Sequence, residues 1–278
     1  GRSRLAQWRD AEAEPAHVHA TNRRSAEMAA THSAGSVRLL SSIHPFNSST
    51  SSHNRDMGNI YLVRHGQASF GAENYDQLST LGQQQSQRLG EYFADKGIQF
   101  EAALTGTLQR QIQTHAAICA GAKVTLPALR WPGLNEYDSE AVIATVHPEK
   151  LVKPDTPELY RHHFRLLRDG LTQWMQGRAQ PVGMPTYVNF VHGVTSALDH
   201  VRSNFGGDVL IVSSGGPIST AVGHILGVPP ESTIELNLRI RNSAVTELNF
   251  NPKRCQLHTF NTLPHLDAPD FSKWVTYA

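Results

Sequence analysis

Tyr61-Leu62-Val63-Arg64-His65-Gly66-Gln67 decides how the chain is read. The apolar run Ile60–Val63 suits a buried parallel strand, and it ends in a cation, an imidazole and a glycine. Open α/β sheets bind ligands at the carboxyl ends of their strands. Arg64 offers a planar fork of donors that matches phosphate oxygens. His65 is a candidate nucleophile, because neutral imidazole keeps a lone pair near pH 7. Gly66 lets backbone and ligand approach closely.

Working outward, strand and helix signals alternate. Leu81 to Phe93 has helical spacing and stops near Gly97. Phe100–Leu104 reads as a second strand. Leu108, Ile112, Ala116 and Cys119 are spaced for one apolar helix face, with Arg110 off that stripe. Val209–Val212 is another strand, and Pro217 suits the first turn of a helix to about Leu226. Val245–Phe250 and Gln256–Phe260 alternate like late strands around a turn at Asn251-Pro252. About 138–206 is mostly helical with no strand signal, an insertion over the active site. The pattern predicts a three-layer α/β/α sandwich with a mostly parallel central sheet.

Residues 57–278 form this domain. Residues 1–56 are rich in Ser, His, Ala and Arg, with short apolar clusters such as Val37–Leu40. Such a stretch cannot offset its ordering entropy and reads as a disordered leader or non-native extension, with Met57 as the natural start. A transit peptide is the rival reading, weakened by the acidic residues there.

Of 25 basic and 24 acidic residues, seven and five precede Met57, so the remainder is nearly neutral. That disfavours a nucleic-acid partner. No run approaches membrane-spanning length. Two cysteines, Cys119 and Cys255, fit a reducing, cytoplasmic setting and read as inert.

Three further turns carry candidate chemistry. In Leu104-Thr105-Gly106-Thr107-Leu108-Gln109-Arg110, Thr105 or Thr107 can cap a helix, and Arg110 sits in its first turn, where the dipole favours an anion. In Trp131-Pro132-Gly133-Leu134-Asn135-Glu136-Tyr137, a carboxyl beside aromatic rings favours its neutral form and suits a proton donor. Asp138 is the rival for that role. In Val212-Ser213-Ser214-Gly215-Gly216-Pro217, a Gly-rich turn and a helix start make an anion cradle of backbone N–H groups, and Ser214 adds a hydroxyl. Val212 breaks the Gly-x-Ser-x-Gly elbow of a serine esterase, and no Walker-type motif occurs.

Together, in this order, these elements resemble the histidine phosphatase superfamily, which includes cofactor-dependent phosphoglycerate mutases. Arg64-His65-Gly66 matches its hallmark. Arg110-Gln111-Ile112-Gln113-Thr114-His115 resembles Arg-Ala-x-Gln-Thr-Ala, with Arg110, Gln113 and Thr114 matching. Leu78 to Gln85 resembles Leu-Thr-x-x-Gly-x-x-Gln, and Leu134-Asn135-Glu136 resembles the acid loop. The likeness runs from about 58 to about 262. The family usually has a second histidine in a His-Gly-Gly turn, where this chain has Ser214; serine donates a hydrogen bond but carries no charge. A lost charge-assisted contact costs roughly 2–4 kcal/mol of transition-state stabilisation. Gly71, where mutases have Asn, loosens the mutase analogy.

The resemblance implies attack by His65 on a phosphoryl group bound by Arg64, Arg110, Ser214 and Gly215, with Glu136 as proton donor and no metal or cofactor. The implied partner is a small phosphorylated substrate or a phosphoprotein. A weakly active phosphate-binding module and a phosphomutase are the alternatives. His162, His163, His192 and His200 read as surface or packing residues. Tyr160, Phe164, Trp174, Tyr187 and Phe190 read as core.

Overall fold

The computed structural model describes residues 57–69, 76–152 and 155–277. The leader and Gly71 lie outside the described residues. Those described all belong to one unit, Arg55–Ala278.

A six-stranded sheet has the order β3-β2-β4-β1-β5-β6. The strands are β1 (Gly58–Arg64), β2 (Phe100–Thr105), β3 (Ala128–Arg130), β4 (Asp208–Ser213), β5 (Val245–Asn251) and β6 (Arg254–Thr262). β3, β2, β4 and β1 pair in parallel, and β5 and β6 join antiparallel. β1 lies between two partners, so every residue from Ile60 to Val63 is buried, as a sheet covered on both faces requires.

Side chains alternate across the sheet, and the two faces build separate cores. Tyr61, Val63, Leu210 and Val212 face α1 (Thr80–Asp95) and α2 (Gln109–Ala122), meeting Leu89, Phe93 and Ile118. Ile60, Leu62, Val209 and Ile211 face the other way. There they meet α3 (Ser139–Ala144), α4 (Pro157–Met175), α5 (Tyr187–Asn204), α6 (Gly215–Leu226) and α7 (Ser232–Arg239) through Val142, Trp174, Phe190, Ile218 and Ile234. This is the three-layer sandwich, with the predicted insertion as α3 to α5.

The Ser79 hydroxyl caps α1 by accepting from Gly82 N at 3.0 Å, and the helix stops before Gly97, whose φ is +68°. α1 and α2 cross on glycine: a Cβ at Gly90 would overlap Ile118 O, and one at Gly121 would overlap Gln87 O.

Three sequence expectations need correction. First, the apolar face assigned to α2 is not the buried one. Ala116 is exposed, while Arg110, Gln111, Thr114 and His115 are buried beside Ala117 and Ile118. A polar face turns inward because this helix end lines the site, where polar partners replace apolar contacts. Second, neither Thr105 nor Thr107 caps α2; the N-cap residue is Leu108, and the free amides go to Asp76. Third, β3, α7 and the 3₁₀ turns Pro264–Leu266 and Pro269–Trp274 had no sequence assignment. Segments of three to eight residues are too short for periodicity to register.

Candidate active site

Parallel pairing of Arg64 with Ser213 brings the ends of β1 and β4 together, and His65 N donates to Ser213 O at 2.9 Å. His65 is 3% exposed. Its Nδ1 lies 2.7 Å from Gly66 O. A carbonyl can only accept, so Nδ1 carries the hydrogen and Nε2 keeps its lone pair as an acceptor. Burial first, then Arg64 and Arg110, hold the imidazole pKa well below its ordinary value, so the ring is neutral near pH 7. Gly66 is required by contact: a Cβ there would overlap Gly82 O.

Arg110 enters from the first turn of α2, 7% exposed. Its Nε is 3.3 Å from His65 Nε2, and its Nη1 is 2.8 Å from Asp76 Oδ1. Asp76 also accepts from Gln109 N at 2.9 Å and Arg110 N at 3.3 Å. One carboxylate therefore caps the helix and fixes the guanidinium.

Arg64 Nη1 donates to Tyr277 O at 2.7 Å and also to Ile240 O. Its head group is thus engaged with backbone at the end of α7 and at Tyr277. Gln85 ties the same regions: its Oε1 accepts from Gln67 N at 2.8 Å, while Nε2 donates to Trp274 O at 2.6 Å and Thr276 Oγ1 at 3.0 Å.

Glu136 faces the start of α6, where both carboxyl oxygens accept from Gly216 N at 3.1 Å. The acceptor at this helix end is therefore an internal carboxyl group. Burial raises the Glu136 pKa, opposed by the Gly216 hydrogen bond and by Arg110 and Arg64. Gly216 leaves room for it: a Cβ there would overlap Glu136 Oε1 and sit 2.7 Å from the Tyr137 ring. The Tyr137 hydroxyl accepts from Asn237 Nδ2 at 2.7 Å. Asp138, the rival carboxyl, instead caps α3 through Glu140 N at 2.9 Å and Ala141 N at 3.1 Å.

Ser214 is fully buried, and its Oγ accepts from Gln111 Nε2 at 2.9 Å. Gly215 begins α6 beside Asn237 and Glu136. Sequence reasoning missed Asp76, Gln111 and Asn237, and it matched Gln85 to the family pattern without assigning it a contact. A buried polar face on α2 has no signature in spacing. Asp76 could have been found from an acidic residue close before Leu78-Ser79 that lacks an obvious partner.

Trp174, Tyr187 and Phe190 are core, with Phe164 packed against it. Burial pushes both thiols up, Cys255 to about 11, which leaves little thiolate. Among the described residues no helix is long and apolar enough to cross a membrane.

Comparison with known proteins bears on the family and the fold. The family model of the histidine phosphatase superfamily (branch 1) matches residues 60–263. A phosphoglycerate mutase of Candida albicans is 25% identical over 221 residues, 71% of this chain and 89% of its own length. A protein of Enterobacter sp. strain 638, described as a probable phosphoglycerate mutase, is 28% identical over 222 residues, covering 76% and 95%. The crystal structure of a phosphoserine phosphatase from Entamoeba histolytica, in complex with 3-phosphoglyceric acid, superposes with a TM-score of 0.55 at 19% identity, covering 76% of this chain and all of that one. The chain belongs to branch 1 of the histidine phosphatase superfamily.

Proposed function

We propose that the protein is a phosphatase that hydrolyses a phosphomonoester through a phosphohistidine on His65. The observation that carries the reading is the pairing of His65 Nε2 with Arg110 Nε at 3.3 Å, while Nδ1 is held by Gly66 O at 2.7 Å. The Arg110 Nε–H points at the lone pair of a neutral imidazole, so a phosphoryl group that displaces this hydrogen bond would meet nucleophile and cation together, which supports the reading.

In the first step Nε2 attacks phosphorus, an N–P bond forms and the P–O bond to the leaving group breaks. The Glu136 carboxyl gives its proton to the departing alkoxide. In the second step the Glu136 carboxylate takes a proton from water, the water oxygen attacks phosphorus and the N–P bond breaks. Free phosphate leaves and the Nε2 lone pair is restored. Arg110 disperses charge on the equatorial oxygens, with Ser214 and the Gly215 backbone as donors. Arg64 adds positive potential, since it acts on both His65 and Glu136. A small phosphorylated metabolite in a cytoplasmic setting is the partner this reading implies.

The experiment is incubation with an aryl phosphate, with acid quench and alkaline quench compared. An acid-labile, alkali-stable phosphoryl label on wild-type protein, absent from His65→Ala, supports the reading. Undiminished turnover in folded His65→Ala ends it.

The names of the relatives favour a second reading, phosphoryl transfer between two positions of a substrate. Release of free phosphate, measured against transfer to an acceptor, separates the two. A phosphate-binding module without turnover is a third reading, favoured by the engagement of Arg64 with Ile240 O and Tyr277 O. Turnover above the His65→Ala background excludes it.

A further inference from the structure

Gln111 is a long polar side chain with no exposure, next to Arg110 in the first turn of α2. It occupies the position at which the Arg-Ala-x-Gln-Thr-Ala pattern has alanine. Burying an amide is costly unless its groups are hydrogen-bonded. Here both Nε2 hydrogens are spent, one on Leu134 O at 2.9 Å and one on Ser214 Oγ at 2.9 Å. Leu134 O can only accept, which fixes the orientation of the amide. Ser213 Oγ donates to the same carbonyl at 2.7 Å, so both of its lone pairs are taken.

The consequence falls on Ser214. A hydroxyl has one hydrogen and two lone pairs. With the Gln111 N–H directed at the oxygen, the hydroxyl hydrogen must point elsewhere. Among the described residues Ser214 Oγ donates no hydrogen bond. Strand register sets Ser214 beside His65, whose N donates to Ser213 O at 2.9 Å.

We propose that Gln111 is a positioning residue that fixes Ser214 as a one-way hydrogen-bond donor to the phosphoryl group on His65. The inference rests on the phosphatase reading above. Two departures from the family pattern then prove to be one feature. A short side chain at 214 and a long one at 111 share the space, and two neutral groups supply the donation that a histidine gives at that turn.

The test is a double-mutant cycle of wild type, Gln111→Leu, Ser214→Ala and the double variant, with Ser214→Thr as the conservative control. The readouts are kcat on p-nitrophenyl phosphate and inhibition by inorganic phosphate. Each single loss lowers kcat and weakens phosphate inhibition roughly 10-fold, and the double variant is no worse than Ser214→Ala. Ser214→Thr keeps most of the activity. Losses that multiply in the double variant mean that Gln111 acts on something other than Ser214, and overturn the proposal. If Gln111→Leu does not fold, Gln111→Met enters the same cycle. If the wild-type protein turns over no phosphomonoester, the phosphatase reading fails on its own. The cycle is then read on binding of inorganic phosphate: coupled losses still uphold the pair, and independent losses overturn it.

Discussion

Arg110 reaches His65 and Asp76 at the same time, with Nε 3.3 Å from the imidazole and Nη1 2.8 Å from the carboxylate. Asp76, itself held by the first amides of α2, restrains the guanidinium. The cation is therefore oriented before any ligand arrives, which reduces the entropy lost on binding one. Arg110→Ala is expected to lower kcat/KM for an aryl phosphate roughly 100-fold or more. Arg110→Lys should recover little, because lysine has no Nε–H at that distance along the chain.

Asp76→Ala separates orientation from charge. It removes the helix cap, worth about 1 kcal/mol, which lowers Tm by roughly 2–4 °C in a domain of this size. It leaves Arg110 charged but unfixed, so KM should rise more than kcat falls. Calorimetry and steady-state kinetics on the same preparation check both. An unchanged Tm would show that the amides of Gln109 and Arg110 do not need this carboxylate.

Glu136 and His65 are shifted in opposite directions. Glu136 is raised by burial, so its protonated form persists above the ordinary carboxyl range and is lost as pH rises through the folded pKa. Turnover of alkyl phosphates, which need a proton on the leaving oxygen, should fall along that basic limb. Glu136→Gln should lose most of its rate on alkyl phosphates, far less on p-nitrophenyl phosphate, and should lack the limb. His65 stays neutral throughout, because its pKa lies well below 6.5.

Acid should destabilise the fold through its buried histidines. Burial pushes His265 down to about 3, and it lowers His65, His115 and His163 as well. Each is neutral when folded and has an ordinary value of 6.5 when unfolded, so the stability it contributes is complete above pH 6.5. That stability drains as pH falls towards the folded value, at about 1.4 kcal/mol per pH unit for each such group. His265, 2.9 Å from the Ser243 hydroxyl, is the cleanest to test because it lies outside the catalytic cluster. Denaturant melts from pH 7 to pH 4 should show a shallower decline for His265→Gln than for wild type.

Where α1 crosses α2, glycine is required by contact rather than by φ. Gly90→Ala would drive a methyl into Ile118 O, and Gly121→Ala would drive one into Gln87 O. Either should cost about 1–3 kcal/mol by forcing the helices apart. The double variant should cost less than the sum, since a single separation relieves both overlaps. Urea melts of the three variants decide it.

The sequence by itself determined the layers. Apolar strands at Ile60–Val63, Phe100–Leu104 and Val209–Val212 alternate with helical periods, and burial on both faces leaves such strands little choice but a covered parallel sheet. It also determined which residues sit at strand ends, because Arg64 closes β1 and His65 and Ser214 follow their strands directly. Tertiary structure alone decided which partners those residues meet. Asp76 and Arg110 are 34 residues apart, Gln111 and Ser214 are 103 apart, and Arg64 and Tyr277 are 213 apart. No local period encodes such pairs. The polar inward face of α2 reversed the reading of its apolar stripe for the same reason: spacing reports burial against an apolar core, whereas a site buries polar groups against one another.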